Sequence, residues 1–155
     1  PSAVYRHFRG KDELIDAMLE MVHDRLQDFI RESTAEGGDP REQLWRILQR
    51  HCAFLEQNAA LPRVIFNEET WFGDTNRRRR IRRIVDDYLC GVQRLIEVGQ
   101  KEGGLNADRD AEILARLFLG IVQPGVILRQ LRGPKFKMQR HAEESWKLYR
   151  LLLEP

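Results

Sequence analysis

The sequence predicts an all-α protein, and three observations lead to that prediction. Apolar residues recur at intervals of three and four along most of the chain, as they do on one face of an amphipathic helix. No stretch alternates apolar and polar residues over the length of a strand, and no Asn-Gly or Asp-Gly pair marks a hairpin turn. Glycine and proline lie between the periodic segments, where helices end and begin.

The periodic segments predict six helices, and capping residues mark their ends. Asp39 is a suitable N-cap, and Pro40 suits the first turn of the helix that follows it. Asp74 caps the long fourth helix, and Gly103 follows the end of that helix because glycine tolerates the left-handed conformation. The predicted helices cover about 11–33, 40–58, 62–72, 75–102, 108–132 and 135–153.

The composition is that of one soluble globular domain. The 155 residues include 26 Lys and Arg and 24 Asp and Glu, for a formal net charge of +2, and 42% are hydrophobic. This near-neutral charge argues against a protein that binds polyanions over its whole surface. Cys52 and Cys90 form no C-x-x-C pair, and no apolar run has the length of a signal peptide core or a membrane span. We therefore expect a cytoplasmic protein that does not enter a membrane.

The N-terminal segment carries the most specific pattern in the chain. Val4 is followed by Tyr-Arg-His-Phe at 5–8, then by Lys11, and then by Leu14, where a long helix begins. This combination resembles the end of the helix-turn-helix in transcriptional regulators of the TetR family. The family places two further helices before this segment, so we expect a fragment of a longer regulator that binds operator DNA poorly by itself.

The resemblance implies a helical bundle of the TetR type with two parts. Residues 1–10 correspond to the remnant of the DNA-binding domain with its recognition helix, and residues 11–155 to the ligand-binding and dimerisation domain. Hydroxyl, imidazole and ammonium groups suit phosphate contacts, whereas short or hydrogen-bonding side chains suit the major groove. The resemblance assigns phosphate contacts to Tyr5, His7 and Lys11. It assigns the base-facing or groove-edge surface to Ser2, Ala3 and Arg6.

Apolar and aromatic side chains on the middle helices suggest an effector pocket. The resemblance implies that the C-terminal helices bind a small ligand, and six helices can enclose a largely apolar pocket. Aromatic side chains at helical spacing usually fill a core, so a purely structural role stays open for each of them. The candidate pocket residues are Trp45, Cys52, Phe66, Trp71, Tyr88, Val92, Leu95 and Phe118.

The last two predicted helices have the pattern of an oligomer interface. Each carries an apolar stripe, and pairing both helices with their copies in a second chain gives a four-helix bundle. Helix-turn-helix proteins are usually dimers because operator half-sites occur in pairs. The candidate interface residues are Ile121, Val126, Trp146, Tyr149, Leu152 and Leu153.

The densest charge run lies at the start of the fourth predicted helix, where six of the seven residues 77–83 are arginine. Positive charge at a helix N-terminus opposes the helix dipole and costs roughly 0.3–1 kcal/mol per charge at low salt. Three interpretations stay open: a solvated helix face, a source of positive potential near DNA, or a partner for acidic residues in preceding helices.

These predictions together describe a ligand-responsive repressor that binds operator DNA as a homodimer and is released by a small, largely apolar effector. A helical adaptor that binds a protein partner is the main alternative. Glu20 and His23 form one Glu-x-x-His motif, but a di-metal bundle needs two such motifs and further carboxylates. No G-x-S-x-G, Walker or H-E-x-x-H motif occurs, so we expect no enzyme activity, no metal site and no cofactor.

Overall fold

Helices account for most of the protein. The computed structural model describes residues 10–65 and 74–155, and these ranges contain six α-helices and no strand. The prediction of an all-α fold is confirmed. The helices are α1 (Lys11–Ala35), α2 (Pro40–Gln57), α3 (Leu61–Ile65), α4 (Thr75–Lys101), α5 (Ala111–Arg132) and α6 (Met138–Leu153).

Two aspartates cap α2 and α4, as the sequence predicts. Asp39 accepts a hydrogen bond from the backbone N–H of Arg41 at 2.7 Å. Asp74 accepts one from the backbone N–H of Asn76, also at 2.7 Å. These carboxylates serve donors that the first turn of a helix leaves without a backbone partner. The starts of both helices are therefore encoded locally.

The last two helices begin three residues later than the sequence pattern indicates. Asp110, not Asp108, is the N-cap of α5, and it accepts a hydrogen bond from the backbone N–H of Ile113 at 3.0 Å. Gly133–Lys135 forms a short 3-10 turn, so α6 begins only at Met138. Alternative caps that are close in sequence leave such boundaries to tertiary packing.

Glycines at the end of α4 allow the start of α2 to pack closely. Gly103 has a φ of 75°, and the backbone N–H groups of Gly104 and Leu105 both donate to the carbonyl of Gly99. A Cβ atom at Gly99 would lie 2.7 Å from Leu105 and 2.8 Å from Pro40. The absence of a side chain at Gly99 therefore sets the distance between α4 and α2.

The helices pack around one main core and a smaller one. α4 lies against α1 and α5, α2 lies against α1 and α6, and α5 packs on α6. A second, smaller cluster of Ile15, Leu19 and Ile81 joins the first half of α1 to the start of α4. The largest fully buried side chains of the main core include Phe29, Leu48, Tyr88, Phe118 and Leu153.

Helices α1 and α4 run side by side in the same direction. Asp12 near the start of α1 contacts Arg77 near the start of α4, and further along Ile30 meets Gly91. A Cβ atom at Gly91 would lie 2.6 Å from Cδ1 of Ile30. The two helices therefore form a parallel pair along most of their lengths.

Candidate functional site

The predicted DNA contacts lie at the N-terminal end of α1. Lys11 is the first residue of this helix and is exposed. Its role as a phosphate contact is implied by the family resemblance and stays a prediction. The other five candidates lie outside the described residues: Ser2, Ala3, Tyr5, Arg6 and His7.

Arginines at the start of α4 bind carboxylates at the start of α1. Arg77 is only 7% exposed, and its guanidinium donates to Asp12 and approaches Asp16 at 3.8 Å. Arg80 reaches the carboxylate of Asp16 at 3.4 Å. The hydrogen bond from Arg77 lowers the pKa of Asp12 below its ordinary value. These contacts join the N-terminal end of α1 to the start of α4.

The remaining arginines of the run lie on an exposed helix face. Arg82 pairs with Asp86 at 3.2 Å and Arg83 with Asp87 at 3.5 Å, one helical turn along α4. Exposed pairs of this kind contribute roughly 0–1 kcal/mol each. Four of the six arginines thus face carboxylates of the same chain, which leaves Arg78 and Arg79 as the main exposed source of positive potential.

The structure brings five of the eight candidate effector residues together in the main core. Burial raises the pKa of the Cys52 thiol to about 12, with a smaller contribution from Glu56, so the thiol stays protonated near neutral pH. Trp45 is half-buried and packs against this core beside Trp146 of α6, while Phe66 and Trp71 fall outside the described residues. The five core residues are Cys52, Tyr88, Val92, Leu95 and Phe118.

His51 is a buried polar residue of this core that the sequence pattern did not single out. Its Nδ1 lies 3.0 Å from the hydroxyl of Tyr88, and the two rings meet edge to face. Burial lowers the pKa of His51 to about 4, so the imidazole is neutral at physiological pH. His51 directly precedes Cys52 on the apolar face of α2. That position is the sequence feature from which burial of His51 could have been predicted. The pair gives a largely apolar core one hydrogen-bonding element.

Four of the six predicted interface residues are buried inside the single chain, each 9% exposed or less. Trp146 packs within the chain as well, since its ring stacks on Trp45 of α2 with centroids 5.5 Å apart. Only Leu152, 37% exposed, lies on the outer surface. The predicted interface set is therefore corrected, because helical periodicity did not show which side of α5 and α6 faces the core. The four buried residues are Ile121, Val126, Tyr149 and Leu153.

Large apolar side chains nevertheless cover the outer surface of α5 and α6. Their exposed fractions range from 37% for Leu152 to 77% for Leu131. Exposed apolar surface on neighbouring helices is a candidate interaction surface. We call this set the outer leucine face: Ile113, Leu117, Ile127, Leu131, Leu148, Leu151 and Leu152.

The apolar character of α5 extends around the helix. By length and composition alone, Ala111–Lys135 could cross a membrane, with a mean hydropathy of 1.6, whereas the sequence pattern predicted no such segment. Helices in the core of soluble proteins meet the same criterion, so this finding is weak evidence for a membrane span. One third of the apolar window is buried in the chain, and much of the remainder belongs to the outer leucine face.

A surface groove of about 560 Å³ lies between the second halves of α1 and α4, and the start of α2 closes one end. We call it the α1/α4 groove. Two of its amide atoms, Nε2 of Gln27 and Oε1 of Gln43, are buried without a hydrogen-bond partner among the described residues. An unsatisfied buried polar atom costs roughly 1–3 kcal/mol. The groove thus has a mixed apolar and polar lining, and the two unpartnered amide atoms lie beneath its surface.

The described residues contain no group of three or more His, Cys, Asp or Glu side chains that could hold a metal ion. His23 instead pairs with Asp87 of α4, with 2.8 Å between Nε2 and Oδ2. Its role in the described structure is to join α1 to α4.

Comparison with known proteins identifies the family. Residues 19–154 match the family model of a TetR C-terminal region, described as YsiA-like protein, C-terminal region. The match covers all of the chain from the first third of α1 to the end of α6. The chain belongs to the TetR family. The N-terminal pattern and the helical architecture therefore indicate the same family of transcription regulators.

Curated TetR-family relatives match nearly the whole chain. This chain is 26% identical to the nucleoid occlusion factor SlmA of Vibrio vulnificus over 148 aligned residues. The alignment covers 95% of this chain and 75% of that relative. Identity to SlmA of Shewanella pealeana is 26% over 147 residues, covering 94% of this chain and 74% of the relative.

Solved regulators share the fold. The fatty acid degradation regulator FadR of Bacillus halodurans superposes with a TM-score of 0.76 at 20% identity, over 94% of this chain and 75% of that one. FadR of Bacillus subtilis, solved in complex with stearoyl-CoA, superposes with a TM-score of 0.72 at 14% identity. That superposition covers 97% of this chain and 81% of the FadR chain. At these identities the likeness establishes the fold of the TetR-family chain.

Proposed function

We propose that this chain supplies the effector-binding and dimerisation part of a ligand-responsive repressor that binds operator DNA as a homodimer. The observation that carries the proposal is the path of α1. This helix begins at Lys11, directly after the segment that resembles a recognition helix, and it places Phe29 in the main core near His51. A change in the packing of the core is therefore transmitted by one rigid helix to the DNA-reading end.

The effector in this proposal is a small, largely apolar molecule that binds among the middle helices. The main core there is largely apolar, and the hydrogen-bonded pair His51 and Tyr88 can orient a ligand with one polar group. The presence of stearoyl-CoA in FadR of Bacillus subtilis supports an acyl compound as the first class to test.

Effector release works through a shift between two arrangements of the dimer. A ligand changes DNA affinity only if it binds one arrangement more tightly than the other. Tilting α1 changes the separation of the two reading heads, whereas operator half-sites have a fixed spacing. A ligand that favours the tilted arrangement therefore lowers the affinity for the operator.

A chain-length series of acyl-CoA thioesters tests the effector proposal. We expect calorimetric titration of this chain to give saturable binding that tightens with acyl length, because each buried methylene adds about 0.8 kcal/mol. Free coenzyme A is the control and should bind at least tenfold more weakly. Equal binding of coenzyme A and its long-chain thioesters would contradict an apolar effector site.

DNA release requires the full-length gene product. We expect a gel shift on the DNA upstream of its own gene, and we expect the best acyl ligand of the titration to reverse that shift. If the ligand binds the chain but leaves the gel shift of the full-length protein unchanged, the chain is not a ligand-responsive repressor domain.

A further inference from the structure

We propose that Arg77 is a positioning residue for the DNA-reading end of α1. Its ion pairs hold the first turns of α1 in one orientation against the start of α4. This inference rests on the proposed function, in which α1 follows directly on the reading head. We call the ion pairs that Asp12 and Asp16 form with Arg77 and Arg80 the Arg77 clamp.

Few apolar contacts fix the first turns of α1. On this helix the buried residues of the main core begin at Val22, whereas the preceding turns meet α4 through the smaller cluster of Ile15, Leu19 and Ile81. Three buried side chains remove far less apolar surface from water than the main core does. The orientation of these turns therefore depends strongly on the polar contacts beside them.

The burial of Arg77 turns its ion pairs into a constraint on distance. The residue is 7% exposed, and its Nε atom is buried without a hydrogen-bond partner among the described residues. The Asp16 carboxylate lies 3.8 Å from that Nε, so the hydrogen bond from the guanidinium to α1 is the one that Asp12 accepts. A buried charge is tolerated only when it is paired. Movement of the start of α1 away from α4 would leave the guanidinium unpaired, and this penalty opposes the movement.

The clamp also connects the start of α1 with the candidate effector residues. Asp12 directly follows Lys11, the predicted phosphate contact. Arg77 lies on the same helix as Tyr88 and Val92, which belong to the main core. A ligand that changes the packing around Tyr88 therefore acts on the start of α1 through α4 as well as through α1 itself.

Hydrogen exchange of this chain tests the clamp. Arg77→Met keeps an apolar side chain but removes the charge, and it should still fold because the Asp12 carboxylate left behind is exposed. We expect amide exchange in residues 15–20 to rise about tenfold or more, while exchange in α2 stays within about twofold. Arg82→Met, which removes an exposed arginine from the same helix, is the control and should change neither. Unchanged exchange in residues 15–20, or an equal rise in α2, would overturn the proposal.

Gel shifts with the full-length gene product test the positioning role. We expect Arg77→Met to bind the DNA upstream of its own gene about tenfold more weakly than Arg82→Met, which has the same net charge. Arg77→Lys should bind more tightly than Arg77→Met. Lysine and methionine are similar in size, so this rescue separates the ion pair from packing.

The same gel shifts distinguish two kinds of failure. Equal binding by Arg77→Met and Arg82→Met would overturn the positioning role and leave the proposed function intact. The absence of any shift with the unmodified protein would contradict the proposed function itself, and the positioning role with it.

Discussion

His51 and Arg77 are both buried polar side chains, and the chain accommodates them in opposite ways. His51 has the Tyr88 hydroxyl as its hydrogen-bond partner, and burial favours the neutral form of its imidazole. Arg77 keeps its charge because Asp12 and Asp16 lie beside the guanidinium. One residue orders the core, and the other joins the ends of two helices.

Protonation of His51 should destabilise the protein in mild acid. The unfolded chain binds this proton below a pH of about 6.5, whereas the folded chain does so only below about 4, so stability falls as the pH drops through that interval. The free energy of unfolding should fall by at most about 3 kcal/mol. This figure is the difference between the unfolded and folded pKa of His51 multiplied by about 1.36 kcal/mol per pKa unit. Urea unfolding between pH 7 and pH 4 measures this loss.

The His51→Leu variant separates this effect from general acid sensitivity. We expect a lower stability at pH 7, because Tyr88 loses its partner, but a flatter dependence on pH between 6.5 and 4 than the unmodified chain shows. Identical slopes for His51→Leu and the unmodified chain would show that His51 does not titrate as proposed.

At the scale of the element, α4 combines an unfavourable start with a strong cap. Its first turn contains no acidic residue and leads into the arginine run, so the carboxylate of Asp74 is the charge that offsets the helix dipole there. The cap also accepts backbone hydrogen bonds from Asn76 and Arg77. The stability of the start of α4 therefore depends on one side chain and on the contacts to α1.

Removal of this cap should cost measurable stability. We expect Asp74→Ala to lower the free energy of unfolding by about 1–2 kcal/mol, because the first turn of α4 then loses both its side-chain cap and the acidic residue that directly precedes the helix. Asp108→Ala, at an exposed position before the α5 cap, should change stability by less than about 0.5 kcal/mol. Urea unfolding at pH 7 compares the two, and equal losses would contradict the importance of the cap.

At the scale of the whole molecule, a single chain leaves the outer leucine face uncovered. Two copies of the α5 and α6 pair, related by a twofold axis, can cover each other as a four-helix bundle. Leu131 and Leu148, the most exposed members, belong to different helices of the pair. The proposed homodimer would bury this face and so account for the apolar side of α5 that the chain's own core does not cover.

Charge substitution on this face should dissociate the proposed homodimer. We expect light scattering to give the mass of two chains at micromolar concentration, and the double variant Leu131→Glu, Leu148→Glu to give the mass of one, because burying four carboxylates is unfavourable. Val98→Glu, at an exposed apolar position in the α1/α4 groove, should remain dimeric. A one-chain mass for the unmodified protein would exclude the homodimer and favour the helical adaptor.

Local sequence determined the elements of this protein. The spacing of apolar residues located the helices, Asp39 and Asp74 set two of their starts, and the pattern at 4–14 was sufficient to indicate the TetR family. Each of these sequence features involves residues that are close together along the chain. The local backbone geometry of such residues depends little on the rest of the chain.

Tertiary structure decided which side of each element faces which neighbour. α5 is apolar on both sides, so periodicity could not tell that Ile121 lies in the core while Leu117, four residues earlier, faces outward. The pairing of Arg77 with Asp12 and of His51 with Tyr88 joins residues far apart in sequence. Such contacts depend on how whole helices pack, which sums many weak interactions that no local pattern records.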